Sequence, residues 1–416
     1  MKKISGLKCV NCGKESALAK VRYVCPECSG NLQVVYDYAS IRKKLTRKAL
    51  AKNLDPTIWR YLDALPIRGL KHAVPLQIGP TPLYRSRVLA ADFGLKGLFI
   101  KDDGRNPSAS FKDRAGAIAI ARALEEGEKL ITGASTGNAA SSLACLASVM
   151  GLRTIIFVPQ SAPVAKIAQL LVFGATVIAV EGNYDQAFDL CLQATAEYGW
   201  YNRNTGYNPF TREGKKTCSF ELLEQLEWRC PDKVFVPVGD GNIISGIWKG
   251  FYEAYLLGLI DRLPKLVAVQ AEKSDAIKRA HETDGVIRPV SGETIADSIS
   301  VSIPRDGQAA VAALRESDGF AISVSDSEVL EAIKVLARAE GVFAEPAAAA
   351  SIAGLKKAVA AGQIRPGERV VALITGNGLK DVASAMKAVG QPHRIAPKIE
   401  DLRRLIGALD RPGAPL

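Results

Sequence analysis

From about residue 95 onward the chain alternates short apolar runs with alanine-rich stretches. The runs are GLFIKDDG, KLITGAS, TIIFVP, TVIAVEG, KVFVPVG, KLVAVQA and VVALITGNG, most of them rich in β-branched residues. Runs this short and continuous predict strands covered on both faces, and the alanine-rich stretches supply the covering helices. The expected fold class is therefore α/β with parallel sheets, in which ligands sit outside the carboxyl ends of strands. Upstream, GNLQVVYDY alternates with the period of a half-buried strand that closes a separate N-terminal module. A Pro- and Gly-rich segment, WRYLDALPIRGLKHAVPLQIGPTPL, bridges that module to the α/β body.

A chain of 416 residues is too long for one small core, so two domains and an appendage are expected. The boundaries read from the pattern are 1–38 for the module, 39–127 with 232–395 for the larger α/β domain, and 128–231 for the smaller one. The tail, 396–416, ends in DRPGAPL and is expected to fray.

Hydrophobic residues make up 48% and charged residues 23%, the composition of a globular chain with ample material for burial. The start, MKKISGLKCVNCGK, has no apolar stretch behind its lysines and is not a secretory signal, and no run is long enough to span a bilayer. A cytoplasmic protein with no membrane partner is expected. The net charge of +11 raises the question of nucleic acid. The basic residues are spread among acidic ones, however, and the densest cluster, IRKKLTRKALAK, has the spacing of a solvated helix face, so no nucleic-acid partner is expected.

Four of the eight cysteines form two pairs, Cys9-x-x-Cys12 and Cys25-x-x-Cys28, with twelve residues between them. Each pair presents two thiolates from one tight turn, and four thiolates satisfy a tetrahedral zinc, so residues 1–38 read as a structural zinc ribbon. No nearby His or carboxylate suggests an open catalytic position. Cys145, Cys191, Cys218 and Cys230 are scattered and read as structural.

The strand ends carry the unusual chemistry. In NPSASFKDRAGA, Lys112 stands near the start of an alanine-rich helix, where the helix dipole disfavours a protonated amine, as Schiff-base chemistry requires. A second strand end supplies Ser135, Thr136, Gly137 and Asn138 before a helix of small residues, a site suited to a carboxylate. A third, PVGDGN, sets Gly239, Asp240, Gly241 and Asn242 where backbone N–H groups can converge on a phosphate. A fourth places the Thr375 hydroxyl where it can meet a heterocyclic nitrogen. One lysine, one carboxylate loop, one phosphate loop and one hydroxyl match the needs of pyridoxal phosphate.

With those residues in view, the chain resembles the threonine synthases, within the tryptophan-synthase-β-like superfamily of pyridoxal-phosphate enzymes (fold type II). The resemblance runs through the cysteine pairs, PTPL, NPSASFKDR, ASTGN, NPFTREGKKT, PVGDGN, FAEPAAAAS and TGNGLKD, in the family's order. It implies two parallel-sheet domains behind a zinc ribbon, and a homodimer. It also implies that Lys112 carries the cofactor and shuttles protons, that Asn138 contacts the ring hydroxyl, and that Thr375 faces the pyridine nitrogen. Gly239, Asp240, Gly241 and Asn242 would hold the cofactor's phosphate, and Ser135 and Thr136 the substrate's α-carboxylate.

Three positions depart from the family's pattern. Ala139 follows Asn138 where synthases commonly place a hydroxyl, and the PVGDGN loop has the length found in threonine and serine dehydratases. Thr211 stands at the usual phosphate-binding arginine, which leaves Arg212 and Lys216, with Lys215 between them, as the cations that would compensate. A dehydratase or another β- or γ-replacing lyase is the alternative enzyme. A zinc-ribbon nucleic-acid-binding protein on a catalytically silent body is the alternative of another class.

Overall fold

The computed structural model describes residues 3–20 and 22–409. Its strands are β1 (Ile4–Cys9), β2 (Glu15–Ser16), β3 (Leu32–Tyr36), β4 (Leu83–Arg85), β5 (Gly97–Asp102), β6 (Leu130–Ala134) and β7 (Arg153–Pro159), then β8 (Thr176–Val180), β9 (Tyr201–Asn202), β10 (Lys233–Pro237), β11 (Lys265–Ala271), β12 (Phe320–Val324) and β13 (Arg369–Ile374). They form three sheets, in the orders β2-β1-β3, β12-β11-β10-β13-β5-β4 and β8-β7-β6-β9. The first sheet is antiparallel and the last is parallel throughout. The six-stranded sheet is parallel except at its edge, where β4 runs against β5.

Alternation decides which layer each side chain joins. Along β7, Ile155 and Phe157 pack with Phe188 on one face, while Ile156 and Val158 pack with Leu170 on the other. In the six-stranded sheet Val371 and Leu373 face the helix Lys112–Glu125, whereas Val370, Ala372 and Ile374 face the helix Pro346–Ala360. The N-terminal sheet has no separate core: Leu7, Leu32 and Val34 belong to the same buried cluster as Ile118 and Ile247.

All seven apolar runs are strands, and GNLQVVYDY contains β3. Five strands lay outside that reading: β1 and β2 of the N-terminal module, and β4, β9 and β12. β4 and β9 span three and two residues, too short for any period, and β12 (FAISV) is apolar but less extended in the sequence than its neighbours. The basic stretch 41–52 is two short helices, Tyr38–Arg42 and Arg47–Lys52, because Thr46 breaks the chain and caps the second through Ala49 N–H (3.1 Å). In the tail, Ile399–Leu409 is an exposed helix, and residues 410–416 lie outside the described residues.

The order of strands in the sheet makes β10, β13 and β5 parallel neighbours, so their carboxyl ends open side by side on one rim of the large sheet. The end of β6, from the four-stranded sheet, faces them across a cleft. A cavity of about 600 Å³ lies between these ends.

Candidate active site

Lys112 enters the cavity from the turn after β5, and its two neighbours fix it there. Asp113 is buried and accepts from the N–H (2.7 Å) and hydroxyl (2.5 Å) of Ser108, closing the turn that precedes the lysine. Arg114 is buried too, held by Asp103 (2.6 Å) and Glu221 (2.8 Å). Consecutive helical residues point about 100° apart, so anchoring 113 and 114 inward leaves 112 aimed at the cleft. Two further ties join the turn to the end of β13: Phe111 N–H donates to Thr375 O (2.8 Å) and Asn377 N–H to Ala109 O (3.1 Å). Ala109 adopts φ +60°, a strained conformation for a residue with a Cβ, and this contact with the next strand end holds it there.

Among the described residues the Lys112 amine finds no hydrogen-bond partner and no ion pair. Burial pushes its amine below the ordinary lysine value; Glu345 and Asp240 pull it up and Arg203 pushes it further down. An amine in this state gives up its proton more readily than a surface lysine.

The Gly239–Asn242 turn forms the opposite wall. Gly239 lies so close to Ile299 that a Cβ would sit 2.8 Å from its Cα, and Gly241 has φ +91°. Both positions thus require glycine. Among the described residues none of the four amides from 239 to 242 donates to a protein acceptor, and they open at the start of the helix Asn242–Leu256. Asp240 turns away from this cradle, its carboxylate accepting from Arg305 N–H (3.0 Å), and burial raises its pKa. The Asn242 side chain is already engaged: its amide donates to Asp306 (2.6 Å), and its oxygen accepts from Lys215.

Ser135, Thr136, Gly137 and Asn138 line the side formed by β6 and the helix it feeds. Ser135 accepts from Gly137 N–H (3.1 Å), which shapes the turn. The Asn138 amide donates to both oxygens of Glu345 (2.8 and 3.0 Å), so the two walls meet through this pair. Glu345 was missed in the sequence. It is buried, burial raises its pKa, and its backbone N–H donates to Gly376 O (3.1 Å). The signal available was a lone acid before a proline at the head of an alanine-rich helix, in FAEPAAAAS.

Of the residues singled out in the sequence, Lys112, Ser135, Thr136, Asn138, Gly239, Asp240, Gly241, Asn242 and Thr375 all line this one cavity. Arg212 and Lys216 do not. Arg212 is held by both oxygens of Asp306 (2.6 and 2.8 Å), and Lys216 lies between Glu213 (2.5 Å) and Glu253 (2.7 Å) over the Tyr36 ring. Their helix packs with Gly214 directly on the Arg114 carbonyl, an approach only glycine permits, and this turns Lys215 to the cavity and its neighbour Lys216 away from it.

These walls fit pyridoxal phosphate. A buried amine without a partner can take its carbonyl, a turn of unoccupied amides can take its phosphate, and the buried guanidinium of Arg203, whose Nε and Nη2 have no acceptor, adds positive charge. In the N-terminal module, the sulfurs of Cys9, Cys12, Cys25 and Cys28 lie within 4.8 Å of one another, two of them exposed and two buried.

Residues 74–376 match the family described as pyridoxal-phosphate dependent enzymes. The threonine synthase of Methanocaldococcus jannaschii is 41% identical over 97% of this chain and 99% of its own length. That of Methanosarcina acetivorans is 39% identical over 96% and 98%. Among solved structures, diaminopropionate ammonia lyase from Escherichia coli (TM-score 0.65, 22% identity, 75% of this chain and 87% of that one) and threonine deaminase isoform 2 from Solanum lycopersicum (0.64, 22%, 75% and 88%) share the fold. Full-length similarity thus sides with the synthases over the dehydratase alternative, and the chain belongs to the threonine synthases, within the pyridoxal-phosphate dependent enzymes.

Proposed function

We infer that this cavity converts O-phosphohomoserine and water into threonine and phosphate. The observation that carries the reading is the convergence of an unpartnered buried lysine, a carboxylate-binding turn and a turn of free amides on one cleft. Bound pyridoxal phosphate supplies an electron sink that lets C–H bonds near the substrate's amino group ionise. Lys112 would hold it and move protons at the substrate's α and β carbons and to the γ carbon that loses phosphate and becomes a methyl group, a task suited to an amine whose basicity burial has lowered. Ser135 and Thr136, with the amides at the head of their helix, would orient the α-carboxylate. The amides from Gly239 to Asn242 would fix the cofactor's phosphate, Asn138 its ring hydroxyl, and the neutral Thr375 hydroxyl its ring nitrogen. Phosphate leaves from the γ carbon and the oxygen of water enters at the β carbon, so water must be kept out until the phosphate has gone.

The four-cysteine cluster is read as a structural zinc site. A tetrahedral zinc with sulfur at about 2.3 Å places its ligands about 3.8 Å apart, and the Cys9–Cys28 and Cys12–Cys25 separations are 3.5 and 3.7 Å. The same reading takes the protein as a cytoplasmic homodimer built from the domains whose boundaries the sequence suggested. No described helix is long and apolar enough to cross a membrane.

The test is the absorption spectrum of purified protein supplied with the cofactor, wild type beside Lys112→Ala, with phosphate release from O-phosphohomoserine followed in parallel. A Schiff-base band that the variant lacks, phosphate and threonine in equal amounts, and one zinc per chain are expected. A band without phosphate release would move the substrate to an unphosphorylated amino acid. No band at all would end the cofactor assignment.

A further inference from the structure

Buried cations in this molecule come with carboxylates. Lys101 has Glu221, Arg114 has Asp103 and Glu221, Arg212 has Asp306, and Lys216 has Glu213 and Glu253. Lys215 breaks the rule. It is fully buried, it lines the cavity, and among the described residues it makes no ion pair; its one hydrogen-bond partner is the neutral oxygen of Asn242. Asn242 is the last residue of the turn whose amides stand free. Arg203, also buried, has two guanidinium nitrogens without an acceptor and lies within electrostatic reach of both Lys215 and Lys112.

Two unpaired cations, Lys112 and Lys215, thus line one cavity, with Arg203 buried within electrostatic reach of both. Burial pushes the Lys215 amine well below its ordinary value, and the charges of Lys112 and Arg203 push it further; Asp306 and Asp240 oppose them without touching it. Leaving charge buried and unpaired is costly unless something arrives to pair it. A carboxylate ligand would bring one negative charge. A phosphate monoester brings nearly two, with three acceptor oxygens, and so matches Lys215 and Arg203 together.

We propose that Lys215, backed by Arg203, is a phosphate-holding residue of this cavity, its ammonium meeting a phosphate monoester beneath the Gly239–Asn242 turn. The proposal rests on the threonine synthase reading and adds a cation to it. It also accounts for Thr211: the charge that an arginine would bring there is supplied from inside the cavity, four residues on. Two phosphates visit the site, the cofactor's and the substrate's, and the chemistry of recognition is the same for both.

The test compares holoenzyme carrying Lys215→Gln, Lys215→Met or Lys215→Arg with wild type, in three measurements: cofactor dissociation followed by absorbance, kcat and KM for O-phosphohomoserine, and inhibition by inorganic phosphate. Loss of one charge-assisted contact weakens binding by about tenfold or more. If the partner is the cofactor's phosphate, the neutral variants lose cofactor affinity by that factor, and KM recovers when cofactor is saturating. If it is the substrate's, cofactor affinity holds while KM and the inhibition constant of phosphate both rise by that factor. In either case Lys215→Arg restores part of the loss. Changes below twofold in all three measurements would overturn the proposal. So would failure of both neutral variants to fold, since a cation awaiting an external anion does not hold the fold together. Wild type without a cofactor band or without phosphate release fails the underlying reading first, before any Lys215 variant is compared.

Discussion

Arg114 shows how much of the chemistry depends on a residue that never reaches the cavity. Its guanidinium is fully buried and binds Asp103 and Glu221, and Thr81 joins the same network by donating to Asp103 (2.6 Å). Removing the cation leaves buried Asp103 without a positive partner and Glu221 with Lys101 alone, which costs about 3–5 kcal/mol. Arg114→Met is therefore expected to lower the denaturant midpoint by that much. Asp103→Asn in the same background should recover part of it, because it removes the stranded charge. A loss below about 1 kcal/mol would mean that the network does not hold the turn. Asp102, one residue before, carries the opposite kind of strain. Burial, with the Asp103 charge adding to it, raises its carboxyl to about 6, above the unfolded value. The folded chain then binds the proton first, so this group's contribution to stability grows as pH falls from about 6 towards 4 and is lost as pH rises through that window. Asp102→Asn should flatten the slope across the window and raise stability at pH 8 by up to about 3 kcal/mol, since Asn can still accept from Gly104 N–H (3.1 Å).

At the scale of elements, the sequence was most readable where one residue type had to do one job. Seven strands announced themselves as apolar runs, six of them largely buried and β8 a part-exposed edge, and four strand-end loops announced their polar cargo. The geometry of the walls was less legible, because it depends on contacts between elements far apart in the chain. Glu345 reaches Asn138 across 207 positions, and no local pattern marks that meeting. The cations of NPFTREGKKT were legible as a group but not in direction. Lys215 and Lys216 are adjacent in sequence, and their roles are set by the angle at which Gly214 lets their helix lie on the helix Lys112–Glu125. β4 escaped because its edge position is fixed by β5, not by its own three residues. In each case tertiary packing decided what local preference left open.

Across the whole molecule, two ion pairs span the cleft between the sheets: Lys166 with Asp297, and Arg305 with Asp185. All four side chains are at least partly exposed, so each pair is worth little alone and is screened by salt. If they favour the closed cleft, the KM of wild type should rise with ionic strength, and Lys166→Met combined with Asp185→Asn should raise KM a few-fold and remove most of that dependence. Equal salt dependence in both proteins would rule the pairs out as latches. The N-terminal sheet has a different relation to the rest. Tyr23 accepts from Asn202 N–H (2.8 Å), Tyr36 donates to Glu213 (2.7 Å), and Asn31 donates to Asp306 (2.9 Å), at separations of 179, 177 and 275 positions. This segment therefore finds the last of these partners only once 275 further residues have been made. Until then its four thiols and its apolar face wait in the open, so the hazardous interval in this protein's life falls during its own synthesis.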